Sequence, residues 1–326
     1  MRRRTLVGSA LSAFVWPSLA SAQKRPFRIA FLSSGTEGTS LSVNELKWLS
    51  LGLEEEGLIE GRHFALERRY AEGEYSRFPA LVRELLALEP GAIVVSTIAS
   101  AKAARELTKT VPIVMLGLND PVGVGLVSSL ANPGGNITGV ATMNEEVQEK
   151  VFQMMREALP SARTVTALLN PGNPSNAGML AAVRAAATAS GIAIQTIGAS
   201  TRDSLNPAFD ELDRHRPDAL LVLPDIAIVG LSAEIVTRAT AKGVPVIGSF
   251  HELTEAGALL SYGRRRQDNV RRAASYLKRI AGGAKPSELP IEQPTKFVLV
   301  VSIKAAKALR LDLPNSLVVA ADEVIE

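Results

Sequence analysis

Residues 92–116 read AIVVSTIASAKAARELTKTVPIVML and hold one complete unit of the fold. Residues 92–96 are an apolar run of strand length, and Ser96, Thr97 and Ser100 follow where a strand gives way to a helix and small polar residues cap free N–H groups. Residues 100–108 are amphipathic at helical spacing. Pro112 then ends the helix and precedes the short apolar strand expected at 113–116. Outward from this unit the same order recurs in both directions. Strands are expected at 28–32, 65–70 and 137–140 around it, and a second series at 165–169, 193–197, 219–223, 246–247 and 259–261, where Pro245 repeats the role of Pro112. Helices are expected between them at 42–56, 76–88, 145–158, 174–190, 204–215 and 228–241. Apolar strands alternating with amphipathic helices build parallel sheets covered on both faces. The expected fold is therefore α/β, two doubly wound Rossmann-like lobes, since a chain of 326 residues divides more readily than it enlarges one core. A helix at 265–281, a stretch punctuated by Pro286, Pro290 and Pro294, a strand at 297–301 and a helix at 304–309 follow. These late segments are expected to cross between lobes and make a multi-strand hinge.

The N-terminus reads as an export signal. Arg2, Arg3 and Arg4 precede a short apolar stretch, and Ala20-Ser21-Ala22 is a small-residue cleavage pattern, so residues 1–22 are expected to be removed. The stretch is too short to span a hydrocarbon layer of roughly 30 Å. Arg3-Arg4 also fits loosely a twin-arginine signal, leaving two export routes open. Removing Arg2, Arg3 and Arg4 balances the 36 Lys plus Arg against the 33 Asp plus Glu. That argues against a nucleic-acid partner, which needs a surplus of positive charge on one surface. With no cysteine in the chain, disulfides, thiolate metal sites, thiol nucleophiles and a lipidated N-terminal cysteine are excluded.

In open α/β sheets ligands bind outside the carboxyl ends of the strands, where loops and helix N-termini present free N–H groups. Small polar residues stand at those places: Ser33, Ser34 and Gly35 after the first strand, Ser96, Thr97 and Ser100 after the third, Asn119 and Asp120 after the fourth. In the second series they are Asn170, Asn173 and Ser175, then Asp225, then Ser249 and Phe250, with Tyr262 after the last. Hydroxyls and helix N-termini suit a carboxylate, and Asp225 suits an ammonium. The same residue types also serve as ordinary caps and turns.

Other motifs are weaker. Gly123-Val124-Gly125-Leu126-Val127-Ser128 lacks the third glycine of a dinucleotide loop and stands in the fourth unit, so no cofactor is expected. His63, His215 and His251 are too dispersed for a metal pair, and no metal is expected. His251, with Ser249 and Asp225, is the one combination that suggests a secreted hydrolase. Arg264-Arg265-Arg266 opens a helix whose dipole opposes positive charge, so the three either face solvent or attract an anion.

Asp120-Pro121-Val122, Gly125-Leu126-Val127 and Asn132-Pro133-Gly134-Gly135-Asn136-Ile137-Thr138-Gly139 resemble segments of the ABC-transporter substrate-binding proteins of the tryptophan/tyrosine-uptake type. So do Gln293-Pro294-Thr295-Lys296-Phe297, Lys304-Ala305-Ala306-Lys307-Ala308-Leu309 and Ala321-Asp322-Glu323-Val324-Ile325. The resemblance implies a type I periplasmic-binding-protein fold, with 27–142 plus 262–283 in the first lobe and 143–261 plus 284–326 in the second. It implies a monomeric, non-catalytic periplasmic receptor that holds a small-molecule ligand, an amino acid or carboxylate, and delivers it to a membrane permease and ATPase. Tyr262-Gly263-Arg264-Arg265 replaces the common Tyr-Gly-Pro-Asn, and residues 96–100 are bulkier than the Gly-Thr-Pro-like form, which leaves the ligand open. The secreted hydrolase and a sensory subunit of a signalling receptor are the alternatives.

Overall fold

In the computed structural model, which describes residues 25–326, the alternation resolves into two sheets. The expected export segment lies outside the described residues. The first lobe comprises β1 (Phe27–Ser33), α1 (Ser40–Glu55), β2 (Phe64–Tyr70), α2 (Phe78–Ala87), β3 (Ala92–Val95), α3 (Ile98–Leu107), β4 (Ile113–Asn119) and β5 (Ile137–Thr142). Its strands are all parallel, in the order β2-β1-β3-β4-β5. Because successive side chains point to opposite faces, Ile93 and Val95 of β3 pack against α2 and α3, while Ala92 and Val94 face α1. An uninterrupted apolar strand is thus explained by burial on both sides.

The second lobe comprises α4 (Asn144–Ala158), β6 (Thr164–Leu169), α5 (Asn176–Thr188), β7 (Ala193–Gly198), α6 (Arg202–His215), β8 (Ala219–Val222), α7 (Ile226–Val229), α8 (Ser232–Ala241), β9 (Val246–Gly248), α9 (His251–Glu255) and β10 (Leu260–Gly263). The chain then makes α10 (Arg266–Ala281), β11 (Val298–Ser302), α11 (Ile303–Leu309), α12 (Asn315–Ala320) and β12 (Glu323–Ile325). The sheet order is β12-β11-β10-β9-β8-β6-β7, parallel except where β11 meets β10. Both lobes reverse strand order beside their first strand, between β1 and β3 and between β6 and β8, which is where such sheets open a ligand crevice.

Three expectations change. The helix expected at 228–241 is two helices, because Gly230 closes α7 and the Ser232 hydroxyl donates to Val229 O at 2.7 Å. The short α9, α12 and β12 were not expected. The second lobe also does not begin again at 284. Leu289 and Ile291 are buried in the first lobe's cores, Ala141 N donates to Glu292 O at 2.9 Å, and Thr138 Oγ1 donates to Leu289 O at 2.8 Å. The return therefore falls after Glu292.

The chain crosses between lobes after β5, after β10 and after Glu292, which gives the multi-strand hinge. The second crossing carries α10 back onto α1. Gly52 permits the close approach, since a Cβ there would lie 2.9 Å from Arg271 O. The first residue of α10, Arg266, is thereby held at the boundary of the two lobes.

Candidate ligand cleft

Two adjoining cavities of about 80 and 90 Å³ lie between the strand ends of the two lobes. Gly117, Asn144, Pro224 and Arg266 line both, so they form one cleft. Ser96, Thr97, Asn119, Asn173 and Ser175, with Asp225, line the inner cavity, while Ser249 and Phe250 line the outer one. A larger trough of about 640 Å³ opens alongside, between Leu41 and Trp48 of α1, Gly230, and His251 and Glu255 of α9. Size alone would favour the trough. The cleft is the better candidate because it joins the switch points of both sheets, whereas the trough runs between helices; each is lined by residues with a buried, unpartnered polar atom, Ser96 Oγ and Asn269 Oδ1 in the cleft and His251 Nδ1 in the trough.

Of the unpartnered atoms, Ser96 Oγ and Asn269 Oδ1 belong to residues that line the cleft, while Ser34, Glu145 and Gln148 lie outside its lining. Ser34 Oγ and Ser96 Oγ, at the ends of β1 and β3, are buried without a hydrogen bond, as are Asn269 Oδ1, Glu145 Oε2 and Gln148 Oε1 on α10 and α4. A buried polar group left unpaired costs about 1–3 kcal/mol, so a ligand that supplies partners recovers that energy on binding.

The hydroxyls of Thr97 and Ser100 are engaged with one another. Thr97 Oγ1 accepts from Ser100 N at 3.1 Å and Ser100 Oγ accepts from Thr97 N at 3.1 Å, a reciprocal cap on α3. Thr97 still lines the cavity; Ser100 lies behind it. Asn119 ties the first hinge crossing, accepting from Asn144 N at 2.6 Å and donating to Glu145 Oε1 at 2.9 Å. Asp120 points away and accepts from Gly123 N at 2.8 Å. Ser33 Oγ accepts from Gly35 N at 3.1 Å. Tyr262 stacks on Phe297 with ring centroids 5.5 Å apart, outside the cleft lining.

Asp225 caps α7 and is surrounded by donors. Its Oδ1 accepts from Asn170 Nδ2 at 3.2 Å and from Ala227 N at 2.9 Å; its Oδ2 accepts from Asn173 Nδ2 at 3.0 Å and from the Tyr75 hydroxyl at 2.5 Å. Burial pushes its pKa up, against the opposing effect of the Tyr75 and Asn170 hydrogen bonds. A carboxylate has about four acceptor positions, and all four are filled.

Arg264, Arg265 and Arg266 each find a partner. Arg264 lies 4.4 Å over the Phe297 ring and donates to Pro294 O at 3.1 Å, and Arg265 pairs with Glu323. Arg266 donates to Glu45 Oε1 at 2.9 Å, a carboxylate 0% exposed inside the first lobe. Burial pushes the Glu45 pKa up, and the neighbouring Arg266 draws it back. Strand-end position does not mark Asn144 and Asn269, which belong to helices, nor Tyr75, which opens the 3-10 turn before α2 and reaches Asp225 from outside the cavity lining.

The hydrolase constellation does not form. The Ser249 hydroxyl accepts from Gln148 Nε2 at 2.9 Å, His251 Nε2 faces Glu255 Oε1 at 3.4 Å, and Asp225 is engaged as described. Among the described residues no group of three His, Asp or Glu side chains is placed to hold a metal.

Two doubly wound lobes, joined by a triple crossing and closed over a polar cleft at their strand ends, define the type I periplasmic-binding-protein class. The chain belongs to the family of ABC transporter substrate-binding proteins, whose profile matches residues 38–325. A tyrosine-binding protein from Clostridioides difficile is 23% identical over 274 residues, covering 83% of this chain and 79% of that protein. A conserved domain protein from Vibrio cholerae shares the fold with a TM-score of 0.83 at 24% identity, covering 91% of this chain and 99% of its own. An ABC domain from Streptococcus pneumonia, solved in complex with L-Trp, has a TM-score of 0.82 at 23% identity, covering 92% of this chain and all of its own.

Proposed function

We propose that this protein is the extracytoplasmic receptor of an uptake system: it is monomeric, binds an amino acid or other small carboxylate between its lobes, and presents the closed form to a membrane permease and its ATPase. Residues 1–22 direct export and are removed. The observation that carries this reading is the polar cleft at the strand ends of both lobes, lined by Ser96 and Asn269 with their unpartnered atoms. Family membership and the L-Trp and tyrosine binders among the relatives support it.

Such a receptor works by differential stabilisation. A ligand touching both lobes binds the closed form only, and its binding energy shifts the hinge equilibrium. Ser96 from the first lobe and Asn173 and Ser249 from the second act as ligand contacts. Asn170 and Asp225 hold the second lobe's loop in place behind them.

Native mass spectrometry of freshly purified protein, followed by a thermal-shift screen of amino acids and organic carboxylates, tests this. A solute binding only the folded state adds about 2.7 kcal/mol at a hundredfold excess over Kd, a plain rise in melting temperature. A screen in which no small solute raises it contradicts the reading.

A further inference from the structure

Arg266 stands where the cleft and the trough meet, lining all three cavities. The cleft contains four charged side chains: Asp225, Glu252, Arg264 and Arg266. Asp225 has its acceptor positions filled by four donors. Arg264 is engaged by the Phe297 ring and Pro294 O. Arg266 differs from both. Of the five N–H donors of a guanidinium, one hydrogen bond goes to Glu45, through Nη1. Glu252 Oε1 reaches Nε only at 3.9 Å, beyond hydrogen-bond range. The remaining donors belong to a side chain 19% exposed that borders the cavities.

Ser96 lines the same inner cavity as Arg266, and its Oγ is buried with no partner. A fixed guanidinium fork and a free hydroxyl on one small cavity are the groups that recognise a planar, two-oxygen anion. Asn144 lines the cavity too and supplies an amide. Glu45 fixes the fork from behind, so little side-chain freedom remains to be lost on binding.

Resting on the receptor reading above, we infer that Arg266 is the specificity-determining residue of the cleft: it receives the carboxylate of an organic anion, with the Ser96 hydroxyl as second donor. This moves the anion site from the α3 cap, where the Thr97 and Ser100 hydroxyls are engaged with one another, to the start of α10. The ligand class that follows is one in which the carboxylate is required and an ammonium group is not.

The test is isothermal titration of the purified protein with three acid and amide pairs: benzoate and benzamide, phenylacetate and phenylacetamide, L-tyrosine and L-tyrosinamide. At least one acid should bind, at least tenfold more tightly than its amide. Replacing Arg266 alone would leave the buried Glu45 unpaired and endanger folding. The comparison therefore uses the double variant Glu45→Gln/Arg266→Gln, with circular dichroism and thermal unfolding to establish that it folds, and Ser96→Ala as a second, milder variant. The double variant should lose the acid preference, and Ser96→Ala should reduce it. Equal binding of acid and amide, or an acid preference unchanged in the folded double variant, overturns the inference and leaves the receptor reading standing. No binding by any of the six compounds also overturns it, because its claim is that a small organic anion suffices; the broader solute screen decides the receptor reading separately.

Discussion

The hydroxyl of Tyr75, in the first lobe, donates to Asp225 Oδ2 of the second at 2.5 Å. The bond closes the cleft at the end away from the hinge. Tyr75 touches no ligand cavity, and burial next to the Asp225 carboxylate pushes its pKa far above the usual phenol range, so it remains a donor at any physiological pH. Tyr75→Phe removes the donor and keeps the ring. A hydrogen bond to a charged group contributes about 1.5–3 kcal/mol, so the variant should bind solute about tenfold or more weakly. Small-angle scattering of the ligand-free variant should also show a larger radius of gyration. Unchanged affinity and unchanged scattering would remove Tyr75 from the closing mechanism.

Gly73, two residues earlier, provides a second probe of closure. Its φ is +84°, and a Cβ there would lie 2.3 Å from Ser200 O in the opposite lobe. Gly73→Ala should hold the lobes apart and weaken binding, while a left-handed non-glycine residue costs roughly 1–2 kcal/mol in the fold. Titration calorimetry together with denaturant unfolding separates the two effects. A loss of stability with full retention of affinity would show that this contact does not limit closure.

Asp225 and Glu45 give stability a distinctive pH dependence. Burial pushes both pKa values up, so above the ordinary carboxylate range the folded state holds more protons than the unfolded one. Stability from these two groups therefore falls as pH rises from the unfolded pKa through the folded one. Asp218 and Glu292 act oppositely. The Arg163 backbone N–H holds Asp218 down and the Arg272 guanidinium holds Glu292 down, so their contribution is full above the unfolded value and lost as pH falls through the folded one. Asp225→Asn removes one group of the first kind. Between about pH 4 and neutrality its denaturation free energy should decline less steeply than that of the parent, the unfolded Asp value being about 3.9. Parallel profiles would mean that Asp225 carries no raised pKa.

The fold was legible because residues 92–116 and their repeats are apolar at strand length and amphipathic at helix length, and burial on both sheet faces requires that pattern. The site was legible only in outline. Strand-end position marks Ser96 and Asn173 as cleft residues, but it marks Asp120 and Tyr262 equally, although Asp120 turns back to cap Gly123 and Tyr262 turns to Phe297. Side-chain direction after a strand depends on the local turn and its hydrogen bonds, which spacing does not reveal. Arg266 was harder still. Its place in the cleft depends on α10 crossing back to α1, a contact between residues more than two hundred positions apart.

The α3 cap yields a stability prediction that is separate from binding. Thr97→Val removes the oxygen that accepts from Ser100 N, one half of the reciprocal cap, and should cost about 0.5–2 kcal/mol in chemical denaturation. Ser100→Ala, which keeps the Thr97 hydroxyl, should cost no more. If neither variant changes the denaturation midpoint, the cap does not hold α3 at the edge of the cleft.

If a small solute closes the two lobes at their strand ends, a crystal structure of the protein with the best stabiliser from the solute screen will show it. The expected result is one solute molecule enclosed among Ser96, Asn144, Pro224 and Arg266, with the Tyr75 to Asp225 bond intact. A solute lying instead in the trough beside Trp48 and His251, with the inner cleft empty, would contradict it.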